Sequence, residues 1–192
     1  MAARGDRARL LRIIGGTWRG RTWRFPEGDI RPTPDRVRET LFNWLTPGIA
    51  GARCLDLFAG SGALGLEALS RGAARVQFVE KSAGAARHLK QTLALWGGTQ
   101  AAAAQIHVGD ADAFLAAAPE AFDVVFLDPP FAAGLLDRAA ARLETAGWLA
   151  PGALIYAESA AREGLPPLPP AWIVSRTGRA GAVGYYLLRR TS

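Results

Sequence analysis

A chain of 192 residues, 49% hydrophobic and 21% charged, makes one domain with a sizeable core and room for a small appendage. One cysteine, Cys54, excludes a disulfide framework and a cysteine-rich metal site, and His88 and His107 stand far apart without partners at ligand spacing, so no metal is expected. The net charge of +6 is unevenly placed: residues 1–53 hold 11 Arg against 5 acids, while the basic and acidic residues of the remainder balance, and a basic arm on a neutral domain points to nucleic acid.

Residues 1–9 have no apolar pattern and are expected to form a mobile tail. Leu10-Leu11 is interrupted by Arg12, too short a run for a signal core, and no later segment reaches membrane-spanning length, so a cytoplasmic, non-membrane protein is expected. Residues 10–14 and 17–25 read as short strands around Gly15-Gly16. Trp18 and Trp23 alternate there with Arg12, Arg19, Arg21 and Arg24, which suits base stacking together with phosphate contact; packing of the tryptophans onto the main domain is the competing reading. After Arg31-Pro32, Thr33 is the expected N-cap and Pro34 the first residue of a helix that reaches Leu45 and stops at Pro47-Gly48. Val37, Leu41, Trp44 and Leu45 make its apolar face and leave Arg36 and Arg38 on the surface. Arg12, Arg19, Arg21, Arg36 and Arg38 are thus the candidate nucleic-acid contacts of an N-terminal extension spanning residues 10–50.

From residue 51 the pattern changes to five apolar runs, at 54–58, 76–79, 105–108, 122–127 and 153–157, separated by Ala- and Leu-rich segments at 63–70, 83–96, 111–117 and 135–147. This alternation predicts a parallel sheet covered by helices on both faces. Residues 173–176 and 183–188 read as a closing antiparallel pair, and 101–104 as a small-residue linker. Ligands of such sheets bind beyond the carboxyl ends of the strands, where this chain places Asp56, Glu80, Asp110 and Asp128. Glu158 follows the fifth run and is expected to be a satisfied turn or cap.

Residues 58–65, Phe-Ala-Gly-Ser-Gly-Ala-Leu-Gly, contain Gly-x-Gly-x-x-Gly, with Glu80 twenty residues after the first glycine. Such a loop brings backbone close to a ligand at a helix N-terminus, and the acid on the next strand can take two ribose hydroxyls. A nicotinamide dinucleotide and S-adenosylmethionine both meet this description. Asp56 would repel a pyrophosphate and suit a sulfonium, Asp110-Ala111 can take an adenine amine, and Asp128-Pro129-Pro130-Phe131 offers a rigid seat for an amine on a flat ring. These features favour S-adenosylmethionine and a methyltransferase. The cofactor set is Asp56, Phe58, Gly60, Ser61, Gly62, Glu80, Lys81, Asp110 and Ala111, and the catalytic set is Asp128, Pro129 and Phe131.

The blocks at residues 12–16, 18–21, 31–33, 35–45, 56–72 and 128–131 together resemble the bacterial 16S ribosomal RNA guanine-N2 methyltransferases, over about residues 10–190 and including 164–166 and 183–186. The glycine loop and the Asp-Pro-Pro-Phe box occur in many amine-directed methyltransferases, whereas the arginine-rich blocks before residue 46 are more specific. The resemblance implies a Rossmann-like class I methyltransferase fold with a mostly parallel seven-stranded sheet, an antiparallel last strand, and an N-terminal hairpin-and-helix extension before a catalytic domain at 51–192. It also implies methylation of one guanine in an assembled or assembling small ribosomal subunit; a monomer is expected, since nothing in the sequence calls for an oligomeric interface. A DNA adenine-N6 methyltransferase would use the same box. A nicotinamide-dependent oxidoreductase would use the glycine loop and Glu80 but neither the box nor the arm.

Overall fold

The computed structural model describes residues 8–26, 33–130 and 134–191. The chain opens with an antiparallel hairpin, β1 (Ala8–Arg12) and β2 (Thr22–Pro26), followed by helix α1 (Asp35–Ile49). Ala8 and Arg9 therefore belong to a strand and not to the expected tail, whose remaining residues 1–7 lie outside the described residues. Then come β3 (Arg53–Asp56), α2 (Ala63–Ser70), β4 (Arg75–Glu80), α3 (Ala83–Trp96), α4 (Gly98–Ala102), β5 (Ala104–Val108), α5 (Ala111–Leu115), β6 (Phe122–Leu127), α6 (Leu135–Thr145), β7 (Leu149–Ala160), β8 (Trp172–Ala180) and β9 (Val183–Arg190).

Strands β3 to β9 form one seven-stranded sheet in the order β5-β4-β3-β6-β7-β9-β8. Neighbours are parallel from β5 through β7, and β9 runs antiparallel to both β7 and β8. The fold class read from the sequence is the one observed. The chain winds outward from β3 to β5, then returns to lay β6 on the other side of β3, so the crevice at the carboxyl ends of β3 and β6 is the switch point where ligands of such sheets bind.

One apolar cluster joins the hairpin, α1, α2 and α3 to one face of the sheet; a second joins α5 and α6 to the other. The central strands are buried on both sides, as Val76, Phe78, Phe126 and Ile155 illustrate, which is why they read as continuous apolar runs without alternation. All eight residues of α2 are buried. Gly65 within it stands against the Phe78 ring, where a Cβ would come to 2.2 Å, so only glycine lets this helix lie so close to β4. Among the described residues, no helix is long and apolar enough to cross a membrane.

Four local expectations are corrected. Helix α1 runs through Pro47 to Ile49, because Ile49 is buried in the core and draws the last turn on. Pro34, not Thr33, occupies its N-cap and makes no side-chain cap bond. Part of the small-residue linker is α4, consistent with the helix preference of alanine. Strands β8 and β9 extend until only Gly181-Ala182 separates them, since pairing with β9 supplies ladder partners to the polar and glycine residues 177–180.

Candidate active site

A cavity of about 1010 Å³ opens along the carboxyl ends of the central strands. Its first half is built on main-chain donors. Asp56, the last residue of β3 and 2% exposed, accepts the Gly65 N–H on Oδ2 at 3.0 Å. Burial pushes its carboxyl up to about 7, opposed by that N–H and reinforced by the charge of Glu80. Glu80, the last residue of β4, accepts the Gly60 N–H on Oε2 at 2.7 Å and the Ser82 N–H on Oε1 at 2.6 Å. The glycine loop is thus clamped between two strand-end carboxylates. Gly62, at φ 76°, sits at the N-cap of α2 in the left-handed region that favours glycine. Asp110 caps α5, accepting the Asp112 N–H at 2.8 Å.

Of the predicted cofactor residues, Asp56, Phe58, Gly60, Ser61, Glu80, Lys81, Asp110 and Ala111 all line this cavity. Gly62 is not part of the lining; its N–H closes the loop on the Ala59 carbonyl at 2.7 Å.

The other half is built on side chains. Asp128 follows β6 and, with Pro129, lines the cavity; Phe131 lies outside the described residues. Glu158 lies within β7, 5% exposed, and also faces the cavity. It is neither the turn nor the cap expected of it, because β7 continues to Ala160 and carries the carboxylate into the crevice. The Thr33 hydroxyl donates to Glu158 Oε1 at 2.9 Å and stands 3.4 Å from Asp128 Oδ2. The Tyr156 hydroxyl donates to the same Oε1 at 2.7 Å. A hydroxyl has one proton, so the short contact takes it and Asp128 is left with the weaker one. Burial, then the charges of Glu158 and Asp56, hold the Asp128 carboxyl well above the usual range against the Thr33 contact. Burial also raises Glu158, opposed by the Tyr156 and Thr33 hydroxyls. Sequence reading missed Thr33 as a site residue. Its signal, a hydroxyl before Pro34, had been absorbed by the capping rule.

The arm packs onto the glycine-loop half. Trp18 and Trp23 are 3% and 6% exposed and meet the Trp96 ring edge-on at 5.0 and 5.7 Å, so packing, not a free stacking surface, is their role in this fold. The Trp23 indole N–H donates to the Ser61 carbonyl at 3.1 Å, bracing the glycine loop, and Phe25 lines the cavity. The buried Glu67 carboxylate anchors the arm, accepting the Ile14 and Gly15 N–H groups at 2.9 and 2.8 Å and Arg71 Nε at 2.8 Å.

Arg12, Arg19, Arg21 and Arg36 are exposed, with Arg12 paired to Asp35 and Arg21 lying over Trp96. Arg38 is a correction to the expected RNA-facing set: its side chain is wholly buried. Its Nη2 donates to Asp35 Oδ1 at 2.6 Å and to the Arg12 carbonyl at 2.9 Å, and its Nη1 stands 3.5 Å from Glu67. Arg38 is held inward by its pairing with the half-exposed Asp35 and by the nearby buried Glu67, which the apolar periodicity of the helix does not register.

Comparison with known proteins bears on this arrangement. A family model described as conserved hypothetical protein 95 matches residues 11–189. The chain is 49% identical over 181 residues to ribosomal RNA small subunit methyltransferase D of Escherichia coli, covering 94% of this chain and 90% of that protein. A solved methyltransferase structure from Escherichia coli superposes with a TM-score of 0.88 at 48% identity, covering 95% of this chain and 98% of the other. An RNA methyltransferase from Salinibacter ruber, solved with S-adenosyl-L-homocysteine, shares the fold at a TM-score of 0.60 and 19% identity, over 84% of this chain and 95% of its own.

Proposed function

Since the chain belongs to the conserved hypothetical protein 95 family, we propose that it is an S-adenosylmethionine-dependent methyltransferase acting on the exocyclic N2 amine of one guanine in 16S ribosomal RNA. The observation that carries this reading is the seating of Asp128 and Pro129 at the end of β6, inside the cavity that the glycine loop and Glu80 enter from the β3–β4 side.

The residues fit that co-substrate. Asp56, Glu80, Asp128 and Glu158 line one crevice, and burial raises the carboxyls of Asp56, Asp128 and Glu158, with neighbouring acids adding to the rise at Asp56 and Asp128. A sulfonium and an ammonium supply positive charge there, whereas the pyrophosphate of a nicotinamide dinucleotide would add to the repulsion. Glu80 keeps lone pairs for ribose hydroxyls beyond its two main-chain donors. Asp110 and Ala111 line the same cavity, where they would take the adenine amine.

When bound, S-adenosylmethionine supplies a methyl group on cationic sulfur, the N–C bond forming as the S–C bond breaks. The guanine N2 lone pair is delocalised into the ring and is a poor nucleophile. Asp128 and the Pro129 carbonyl are the acceptors for its two N–H bonds, which turns the nitrogen lone pair toward the methyl group, so the acceleration comes from positioning and electrostatics. The methylated ammonium is strongly acidic and passes one proton to Asp128 or to water; Asp128 need not be a strong base. Phe131 supplies a ring for stacking on the base, worth about 1–3 kcal/mol, and contacts to phosphate from Arg12, Arg19, Arg21 and Arg36 offset the few kcal/mol of taking the base out of its stack.

The test is tritiated methyl transfer to undermethylated small subunits, naked 16S ribosomal RNA and DNA, followed by nucleoside analysis. The expected product is N2-methylguanosine in the RNA; N6-methyladenine in DNA, or no transfer to any of the three, would overturn the reading. The ratio of rates on subunits and naked RNA reports which assembly state is used.

A further inference from the structure

One buried carboxylate at the base end of the crevice is left unused by the scheme above. Glu158 is 95% buried yet lines the cavity beside Asp128. Its Oε1 gathers both the Thr33 and Tyr156 hydroxyls, at 2.9 and 2.7 Å, while Oε2 takes no hydrogen bond from any described residue. Two donors on one oxygen fix the rotation of the carboxylate and leave the other oxygen free to accept from a ligand donor in the cavity. Thr33 stands between Glu158 Oε1 and Asp128 Oδ2, so one side chain sets the spacing of both carboxylates.

We infer that Glu158 determines which base is methylated: its Oε2 accepts the N1–H of the target guanine while Asp128 accepts from the neighbouring N2 amine. This rests on the guanine-N2 reading of the site. Guanine presents N1–H and its N2 amine side by side, two donors against two acceptors. Adenine presents its amine beside a bare N1, and cytosine presents its amine beside a bare N3; either lone pair would face a carboxylate oxygen and leave both unpaired, which is how sites built on hydrogen bonds reject near-analogues. Asp128 and the prolines can orient an amine on any flat ring, and Glu158 supplies the discrimination they lack. Accepting N1–H also pushes electron density toward the N2 nitrogen, the atom that attacks.

The experiment uses the full chain and an RNA carrying the mapped target nucleotide as guanine or as 2-aminopurine, which keeps the amine at position 2 but has a bare N1. For the natural protein, kcat/KM on guanine should exceed that on 2-aminopurine by about 10- to 100-fold. In Glu158→Gln the amide can donate to the bare N1, so activity on guanine should fall and the two substrates should come within about threefold of each other. Glu158→Asp, which withdraws the carboxylate by one methylene, should narrow the ratio in the same direction and serves if Glu158→Gln does not fold. S-adenosylmethionine affinity measured by calorimetry establishes that each variant is folded. A variant that binds S-adenosylmethionine normally and keeps the natural ratio overturns the role of Glu158. Failure of the guanine reading is distinguished separately, by the nucleoside that the natural protein modifies.

Discussion

At the β3–β4 end of the crevice, main-chain N–H groups of Gly65, Gly60 and Ser82 hold the carboxylates of Asp56 and Glu80; at the β6–β7 end, the hydroxyls of Thr33 and Tyr156 gather on Glu158 while Asp128 keeps only a long contact. Main-chain donors arrive with the strand-loop-helix turn itself and cannot be removed by changing a side chain. Hydroxyl donors come from α1's approach and from β7, and each can be lost by one substitution. The first end is therefore suited to holding a constant ligand, the second to reading a particular one. The hairpin reinforces the constant end, with Trp23 bracing Ser61 and Glu67 holding Ile14 and Gly15.

The largest expected effects separate the two ends. Asp128→Ala should lower methyl transfer on the order of 1000-fold while S-adenosylmethionine affinity, read by calorimetry, stays within about threefold; retained turnover would break the assignment of the base end. The pH dependence of stability should be dominated by the buried acids. A carboxyl whose folded pKa is raised from 3.8 to about 7, as at Asp56, binds its proton more tightly folded than unfolded. Its protonated form stabilises the fold fully at low pH, and that contribution is lost as pH rises from about 4 to 7, up to about 4 kcal/mol at roughly 1.4 kcal/mol per pH unit. The ligand-free melting temperature should fall across that window, and Asp56→Asn should flatten the slope. A melting temperature rising through the window in the natural protein would contradict the burial argument.

Smaller effects sharpen the comparison. Glu80→Ala should weaken S-adenosylmethionine binding by about 10- to 100-fold, the loss of charged hydrogen bonds, with RNA affinity unchanged in a filter-binding assay. Thr33→Val removes a hydroxyl that lowers both acids of the base end. The rising limb of its pH–rate profile should move to higher pH while affinity for S-adenosylmethionine holds. The smallest change is expected from the double substitution Arg19→Ala with Arg21→Ala. If both exposed guanidinium groups meet phosphate, the slope of log K against log salt for RNA should become shallower by about 1–2; an unchanged slope would leave the hairpin a structural brace for the cofactor half only.

The glycine-loop end of the crevice was legible because its parts are local in sequence: the loop follows β3 directly and Glu80 closes β4. A local motif carries its own geometry, so spacing alone set Gly60, Ser61 and Glu80 on one crevice. The base end was half legible. Asp128 and Pro129 announce themselves as a box, but Thr33 and Glu158 lie 125 residues apart, and nothing in the neighbourhood of either predicts the meeting. Arg38 was misjudged for a related reason. Helical periodicity sorts residues by hydrophobicity and sends an arginine outward, yet here the buried Glu67 pairs with it from the interior and the half-exposed Asp35 from the rim.

What the sequence determined by itself was the alternation of strands and helices, the closing antiparallel pair and the strand-end acids, because short-range periodicity and chain connectivity restrict parallel sheets to few arrangements. Tertiary structure alone decided that the arm's tryptophans brace the glycine loop instead of standing free, that Arg38 is interior, and that Glu158 joins Asp128 under one threonine. Those outcomes depend on which distant surfaces meet, and on buried charges finding partners where α1 and the hairpin close against the sheet.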